Sequence, residues 1–329
     1  MRKNLIPKIS QKIERILERE KLKPEISPQE FIKKTKGEKH RYSSCCLTEK
    51  GEKIFFYARI QDNNTAKRKV KKETIFAKKI SKEKFRKKLP LSPFLPRYYK
   101  GKIEKDFEWF EREFLEKEPL GENELLKREP KKREISQIVD FLFSLKKTNL
   151  NLLKGRVPLD KFPLKNYRDL PYLLRNLRER RVISEEEYLS GKNFIRKHLS
   201  LFKKERKYLS HEDFNLGNII FDKGKLKVID WESMGINNFA YDISYLFCHL
   251  WQAKKWQRRY LVEKYLSKLS ENKKEVFKIL FRGNLLFLLG GGILAKPKEI
   301  KVSQLKERRE FFLYGIKVSV KGFDEILLI

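Results

Sequence analysis

Cysteine is nearly absent from this chain of 329 residues. The three present, Cys45, Cys46 and Cys248, are odd in number, two are adjacent, and none stands in C-x-x-C spacing. That excludes a disulfide framework and a cysteine zinc site, and it predicts a reducing, cytoplasmic setting. An apolar leader is also missing. The opening residues, Met1-Arg2-Lys3-Asn4, precede no apolar stretch of signal-peptide type. The longest apolar run, residues 285–294, is interrupted by glycines at 290–292 and is too short to span a bilayer. It predicts a buried helix followed by a turn, and no transmembrane segment. Glycine is scarce where phosphate loops need it: neither G-x-x-x-x-G-K-[ST] nor G-x-G-x-x-G occurs. A phosphate-covering loop would have to be built on Lys36-Gly37-Glu38, with His40 and Ser43-Ser44 beyond. Internal repeats are absent, and the one compositional bias is toward lysine.

Acidic residues are in deficit. Against 78 Lys+Arg stand 44 Asp+Glu, a formal net charge of +34. Such a balance invites anionic partners: nucleic acid, an anionic membrane or an acidic substrate. The basic residues are spread along the chain, however, and many alternate with Glu on predicted helices, as at residues 12–23. A solvated lysine-rich surface accounts for that pattern. Anionic ligands, ATP among them, are favoured over nucleic acid. The length exceeds what one core usually holds, so two lobes are expected, and 40% hydrophobic residues suffice for globular cores.

What is present is concentrated in residues 210–232, which read S-H-E-D-F-N-L-G-N-I-I-F-D-K-G-K-L-K-V-I-D-W-E. Asp213 and Asn218 bracket a polar loop. An apolar run follows at 219–221, then Asp222-Lys223-Gly224-Lys225 with the chemistry of a tight reversal, then a second apolar run at 226–229 ending at Asp230. The pattern predicts a hairpin that returns Asp230 to the end where Asp213 and Asn218 sit. Oxygen donors of this kind suit a hard cation such as Mg2+. Phosphoryl transfer uses the same parts: an Asp accepting the proton of the attacking hydroxyl, an Asn five residues on, and a later Asp, the last two holding metal. Plain turn capping would not require these positions together.

The stretch resembles the aminoglycoside phosphotransferase/choline kinase superfamily, distant relatives of protein kinases. The resemblance is carried by His211-x-Asp213-x-x-x-x-Asn218 and by Ile229-Asp230-Trp231-Glu232. Protein kinases usually read D-F-G at the second element and carry an A-P-E element downstream; neither is found here. The resemblance implies Asp213 as the catalytic residue, Asn218 and Asp230 as Mg2+ ligands, and supporting roles for His211, Glu232 and Asp242, the last packed behind the catalytic loop.

Upstream, the order fits a kinase-like N-terminal lobe. Apolar positions from Ile9 to Leu17 mark an amphipathic helix over about 8–23. Strands are expected at 40–48, 53–60, 97–101 and 106–115, with a long charged helix from about 65 to 89. In such a lobe a basic strand residue grips nucleotide phosphates and pairs with a helix Glu. Arg59 and Glu73 are the candidates. The strand at 106–115 then resembles the inter-lobe hinge, with Glu113 and Leu115 offering main-chain contacts to adenine. Downstream, helices are expected at 135–145, 170–177, 185–208, 251–269, 274–289 and 302–317, with a further one beginning near 238.

The sequence therefore predicts an α+β, two-lobed protein-kinase-like fold. Its N-terminal lobe spans residues 1–115, with a small antiparallel sheet and one long helix, and a mainly helical C-terminal lobe spans 116–329. The function expected is an ATP- and Mg2+-dependent phosphotransferase acting on a hydroxyl of a small molecule. The strongly basic composition counts against a polycationic aminoglycoside acceptor. The competing reading is a kinase-like scaffold that binds nucleotide or nucleic acid; the intact Asp213, Asn218 and Asp230 argue against it.

Overall fold

Lys53–Ile60 reads K-I-F-F-Y-A-R-I, and its side chains alternate between two faces with the period of a strand. Ile54, Phe56 and Ala58 are buried in a core with Ile13, Ile16 and Leu17 of the first helix. Phe55 and Tyr57 therefore point the other way, as does Arg59. A computed structural model describes residues 5–34, 41–60, 64–104, 107–122, 124–294 and 302–329, and it divides the chain into two units. The first comprises Met1–Lys117 with two later segments, Leu153–Pro158 and Ile229–Ser233. The second comprises Glu118–Leu152, Leu159–Val228 and Met234–Ile329. The longest segment of the first unit ends at Lys117, and Asp230 and Glu232 belong to that unit as well.

In the first unit, α1 (Leu5–Arg19) and the strands β1 (Lys23–Pro24), β2 (Arg41–Leu47) and β3 (Lys53–Ile60) precede α2 (Asn64–Ile80), β4 (Tyr98–Ile103) and β5 (Phe107–Glu113). The strands form one antiparallel sheet in the order β1-β2-β3-β5-β4. The register sets Arg59 opposite Arg41 and Glu108, and Arg112 opposite Phe55. Helix α2 ends at Ile80 rather than near 89. Lys82 N–H bonds to the Lys79 carbonyl, tightening the last turn, and the Ser81 hydroxyl takes the Lys78 carbonyl. The residues around Gly37 lie outside those described.

The second unit is mainly helical. It begins with a two-strand ribbon, β6 (Gly121–Glu122) and β7 (Leu125–Leu126), and α3 (Lys132–Lys147). Helices α4 (Leu170–Glu179) and α5 (Glu185–Glu205) follow. The strand β8 (Tyr208–Ser210) then leads to the hairpin of β9 (Ile219–Asp222) and β10 (Lys225–Val228). Lys223 and Gly224 both take positive φ, 50° and 73°, the two-residue turn that matches the twist of a hairpin. After β11 (Gly235–Asn237) come α6 (Tyr241–His249), α7 (Lys255–Leu266), α8 (Glu271–Leu294) and α9 (Val302–Lys321).

No turn occurs at the glycines of residues 290–292: α8 runs through them to Leu294. They allow close helix packing instead. A Cβ at Gly290 would meet Leu173 at 2.9 Å, and one at Gly292 would overlap the Phe312 ring. Among the described residues, α8 is the one helix long and apolar enough to cross a membrane; half of its most apolar window is buried inside the fold.

Candidate functional site

In the second unit, Asp213 follows β8 on a loop whose backbone is held from behind. Glu212 takes φ of +62°, a conformation that costs a non-glycine residue about 1–2 kcal/mol. The buried Asp242 of α6 compensates by gathering the loop. Its Oδ1 accepts from the Ser210 hydroxyl and from Glu212 N–H, both at 3.0 Å, and its Oδ2 accepts from His211 N–H at 3.1 Å. Burial nevertheless wins over these donors and raises the Asp242 carboxyl to about 6. The His211 side chain is fully buried, its ring 5.9 Å from that of Phe214.

Asp213 is oriented from three sides. Its Oδ1 accepts from the Tyr245 hydroxyl at 3.1 Å and from Asn215 Nδ2 at 2.9 Å. Asn218 Nδ2 donates to the Asp213 carbonyl at 2.8 Å and faces its Oδ2 at 3.5 Å. The amide nitrogen of Asn218 makes these contacts, so its oxygen is left for another partner. Hairpin pairing sets Val228 opposite Ile219, bringing the chain back to the Asn218 end of the strand pair.

In the first unit, a cavity of about 400 Å³ is lined by the outward face of the sheet (Phe55, Tyr57, Phe110, Arg112), by Glu73 of α2, and by Asp230 and Glu232. Asp230 also takes a positive φ, +62°. Burial, then the negative charges of Asp230 and Glu232, push the Glu73 carboxyl up to about 8. Arg112 is buried, its guanidinium 4.0 Å over the Phe55 ring. The expected Arg59–Glu73 pair is not formed. Arg59 Nη1 lies 3.4 Å from Glu232 Oε2, whereas Glu73 Oε1 accepts from the buried Tyr98 hydroxyl at 3.2 Å. Tyr98 stands on the neighbouring β4 and reaches Glu73 first. Of the hinge candidates, Glu113 has its main chain engaged: its N–H donates to the Arg97 carbonyl at 2.8 Å, and its carbonyl accepts from Arg112 Nη1 at 3.1 Å. Leu115 is buried and makes no main-chain hydrogen bond among the described residues.

Among the described residues, no three His, Cys, Asp or Glu side chains are grouped as a metal cage. Glu73, Asp230 and Glu232 line the first unit's cavity together with Arg41 and Arg112, and burial is the chief reason that the Glu73 carboxyl is raised, with the charges of Asp230 and Glu232 adding to it. The carboxylate of Asp230 and the amide oxygen of Asn218 are oxygen donors of the kind a hard divalent cation takes, with its remaining positions kept for phosphate oxygens.

The chain matches the model of the phosphotransferase enzyme family over residues 47–269, more than half its length. The chain belongs to the phosphotransferase enzyme family. No curated protein matches its sequence. Solved structures that share the fold include the GDP complex of wild-type aminoglycoside 2'-phosphotransferase-IIIa. That one is 14% identical, with a TM-score of 0.52, and the match covers 82% of this chain and 89% of that one. The GDP complex of a mutant of the same enzyme is 14% identical with a TM-score of 0.50, covering 84% and 87%. Macrolide 2'-phosphotransferase MphH from Brachybacterium faecium is 9% identical with a TM-score of 0.48, covering 82% and 88%. The fold is the α+β, kinase-like one.

Several residues of this phosphotransferase's candidate site escape a reading of the sequence. Tyr245 and His249 stand at i and i+4 on α6, with Tyr241 one turn before. That stripe of aromatic and imidazole side chains on one helix face is a usable signal. Arg112 offers none, because charge and bulk alternate along β5 as they would on a half-exposed strand, and Tyr98 stands at the start of β4 with no pattern that singles it out.

Proposed function

We propose that this member of the family transfers the γ-phosphoryl group of ATP to a hydroxyl of a small molecule. The observation that carries the proposal is the orientation of the Asp213 carboxylate by Tyr245, Asn215 and Asn218, on a loop braced by Asp242. In this mechanism Asp213 accepts the proton of the acceptor hydroxyl. The freed oxygen forms a bond to the γ-phosphorus as the bond from that phosphorus to the β–γ bridging oxygen breaks, and ADP leaves with that electron pair. Asn218 and Asp230 are the residues that would hold Mg2+, which when bound neutralises phosphate charge. Arg59 would reach phosphate oxygens, with Glu232 keeping its guanidinium in place, and Arg112 adds a second fixed positive charge to the first unit's cavity. The aromatic wall of Phe55, Tyr57 and Phe110 suits a base, and Leu115 retains a free main-chain amide for it. The GDP complexes of the solved relatives support a purine nucleotide as donor. The three buried, free thiols are in keeping with the reducing cytoplasm in which we place the reaction.

Catalysis of this kind is positioning and electrostatics, so the carboxylate that takes the proton should be indispensable while the fold does not depend on it. Asp213→Ala is expected to lower ATP turnover by about 10²–10⁴-fold. Its thermal melt and its Mg-ATP affinity should stay near those of the wild type. Unchanged turnover in that variant would remove Asp213 from the mechanism.

A further inference from the structure

Next to Asp213, within the second unit, lies a cavity of about 490 Å³, a size suited to a small molecule. Its wall includes Tyr245, whose hydroxyl donates to the Asp213 carboxylate, so an occupant would sit beside the proposed proton acceptor. Two carboxylates, Glu122 and Glu124, also line it, a composition that at first suggests a pocket for a polycation. Both carboxylates are already matched. Lys127 Nζ lies 3.0 Å from Glu122 Oε2 and 3.0 Å from Glu118 Oε2, and Arg308 Nε lies 2.6 Å from Glu124 Oε2. The Arg308 side chain is only 8% exposed, so its charge is not replaceable by water. Apart from Asp213, a polycation entering this cavity would find each lining carboxylate already beside a cation, and an anion would find both cations committed.

The polar capacity left over belongs to His249. Its imidazole stacks 4.7 Å from the Tyr245 ring and lines the cavity. It makes no hydrogen bond among the described residues. Burial lowers its pKa, which keeps the ring neutral with one donor and one acceptor nitrogen. His249 Nδ1 is buried, and a hydroxyl, which can both donate and accept, serves whichever role the other ring nitrogen leaves open, while the Tyr245 ring offers an apolar face to the carbons beside it.

We propose that this cavity is the acceptor site and that it takes an uncharged, polyhydroxylated molecule of about the size of a monosaccharide. His249 holds one of its hydroxyls, and the Glu122–Lys127 and Glu124–Arg308 pairs set the charge selectivity. This assignment rests on the proposed phosphotransferase function, with Asp213 as proton acceptor.

The test uses the full chain with Mg-ATP and four probes: glucose and myo-inositol as neutral polyols, kanamycin as polycation, and glucose 6-phosphate as anion. Binding is read by saturation-transfer NMR and turnover by ADP release. The neutral probes should bind and raise ADP release at least tenfold over the acceptor-free rate, and the charged ones should not. His249→Ala should weaken the neutral probes by about tenfold, the worth of one hydrogen bond. Lys127→Met, at an exposed position, should uncover Glu122 and shift the ratio of kanamycin to glucose affinity by about two- to fivefold toward kanamycin. Preference of the wild type for kanamycin or for glucose 6-phosphate would overturn the proposal. So would failure of both neutral probes to bind, or a Lys127→Met variant with unchanged ranking. Neutral probes that bind without any ADP release sensitive to Asp213→Ala would instead overturn the phosphotransferase function, and the acceptor assignment with it.

Discussion

Asp242 sets two opposing effects against each other, and a single substitution decides between them. Its carboxylate accepts from Ser210, His211 and Glu212, and hydrogen bonds to an ionised group are worth about 1.5–3 kcal/mol each. Such donors favour ionisation. Full burial opposes it and is the larger influence, raising the carboxyl from 3.8 to about 6. Between those values the folded chain holds a proton that the unfolded chain has released. Stability from this group is therefore complete below about pH 4 and is lost as pH rises through about 6. The size of the loss is about 3 kcal/mol. Asp242→Asn keeps one oxygen acceptor and resembles the protonated acid, so it has no such dependence. Urea unfolding of both proteins from pH 4 to pH 7.5, followed by tryptophan fluorescence, should show the variant gaining on the wild type by about 3 kcal/mol across that range. Any fixed cost of the new amide against His211 N–H cancels in the slope. If the wild type gains on the variant as pH rises, the three hydrogen bonds outweigh burial, and Asp242 braces the loop of Asp213 as an ionised carboxylate whose pKa is lowered rather than raised.

Two other substitutions probe the packing within each unit. Tyr98→Phe removes the hydroxyl that donates to Glu73. Because that donor favours the ionised form of a carboxyl standing at about 8, its loss should cost more at pH 9 than at pH 6, up to about 1–3 kcal/mol, in thermal melts at the two pH values; an equal cost at both would contradict it. Gly283→Ala in α8 would drive a methyl into the ring of Phe202, which is fully buried on α5. Despite the better helix propensity of alanine, a net loss of about 1–3 kcal/mol is expected as a lower urea midpoint, and an unchanged midpoint would show that α5 can yield.

The local chemistry of this chain was legible because it depends on neighbours in sequence. The alternation of residues 53–60 gave a strand with Arg59 on its outward side, and Asp222-Lys223-Gly224-Lys225 gave the two-residue turn. The spacing of Asp213, Asn218 and Asp230, with the Trp231-Glu232 that follows, pointed to the family whose model matches residues 47–269. Residues 35–40, where the glycine of a phosphate loop was sought, lie outside the described part of the chain.

What the sequence alone determined is thus the order of elements and the family to which the chain belongs. The tertiary structure decided their partners. Arg59 meets Glu232, 173 positions away, and not Glu73, whose Oε1 accepts from the buried Tyr98 hydroxyl of β4. Glycines that read as a helix stop are a packing surface, because Phe312 and Leu173 need the space a side chain would fill. β5 lies between β3 and β4 with Glu108, Glu111 and Arg112 buried, although its alternating charges read like those of a half-exposed strand. Pairing over long separations follows from which group arrives first in three dimensions and how much water it excludes, and neither is written in local spacing.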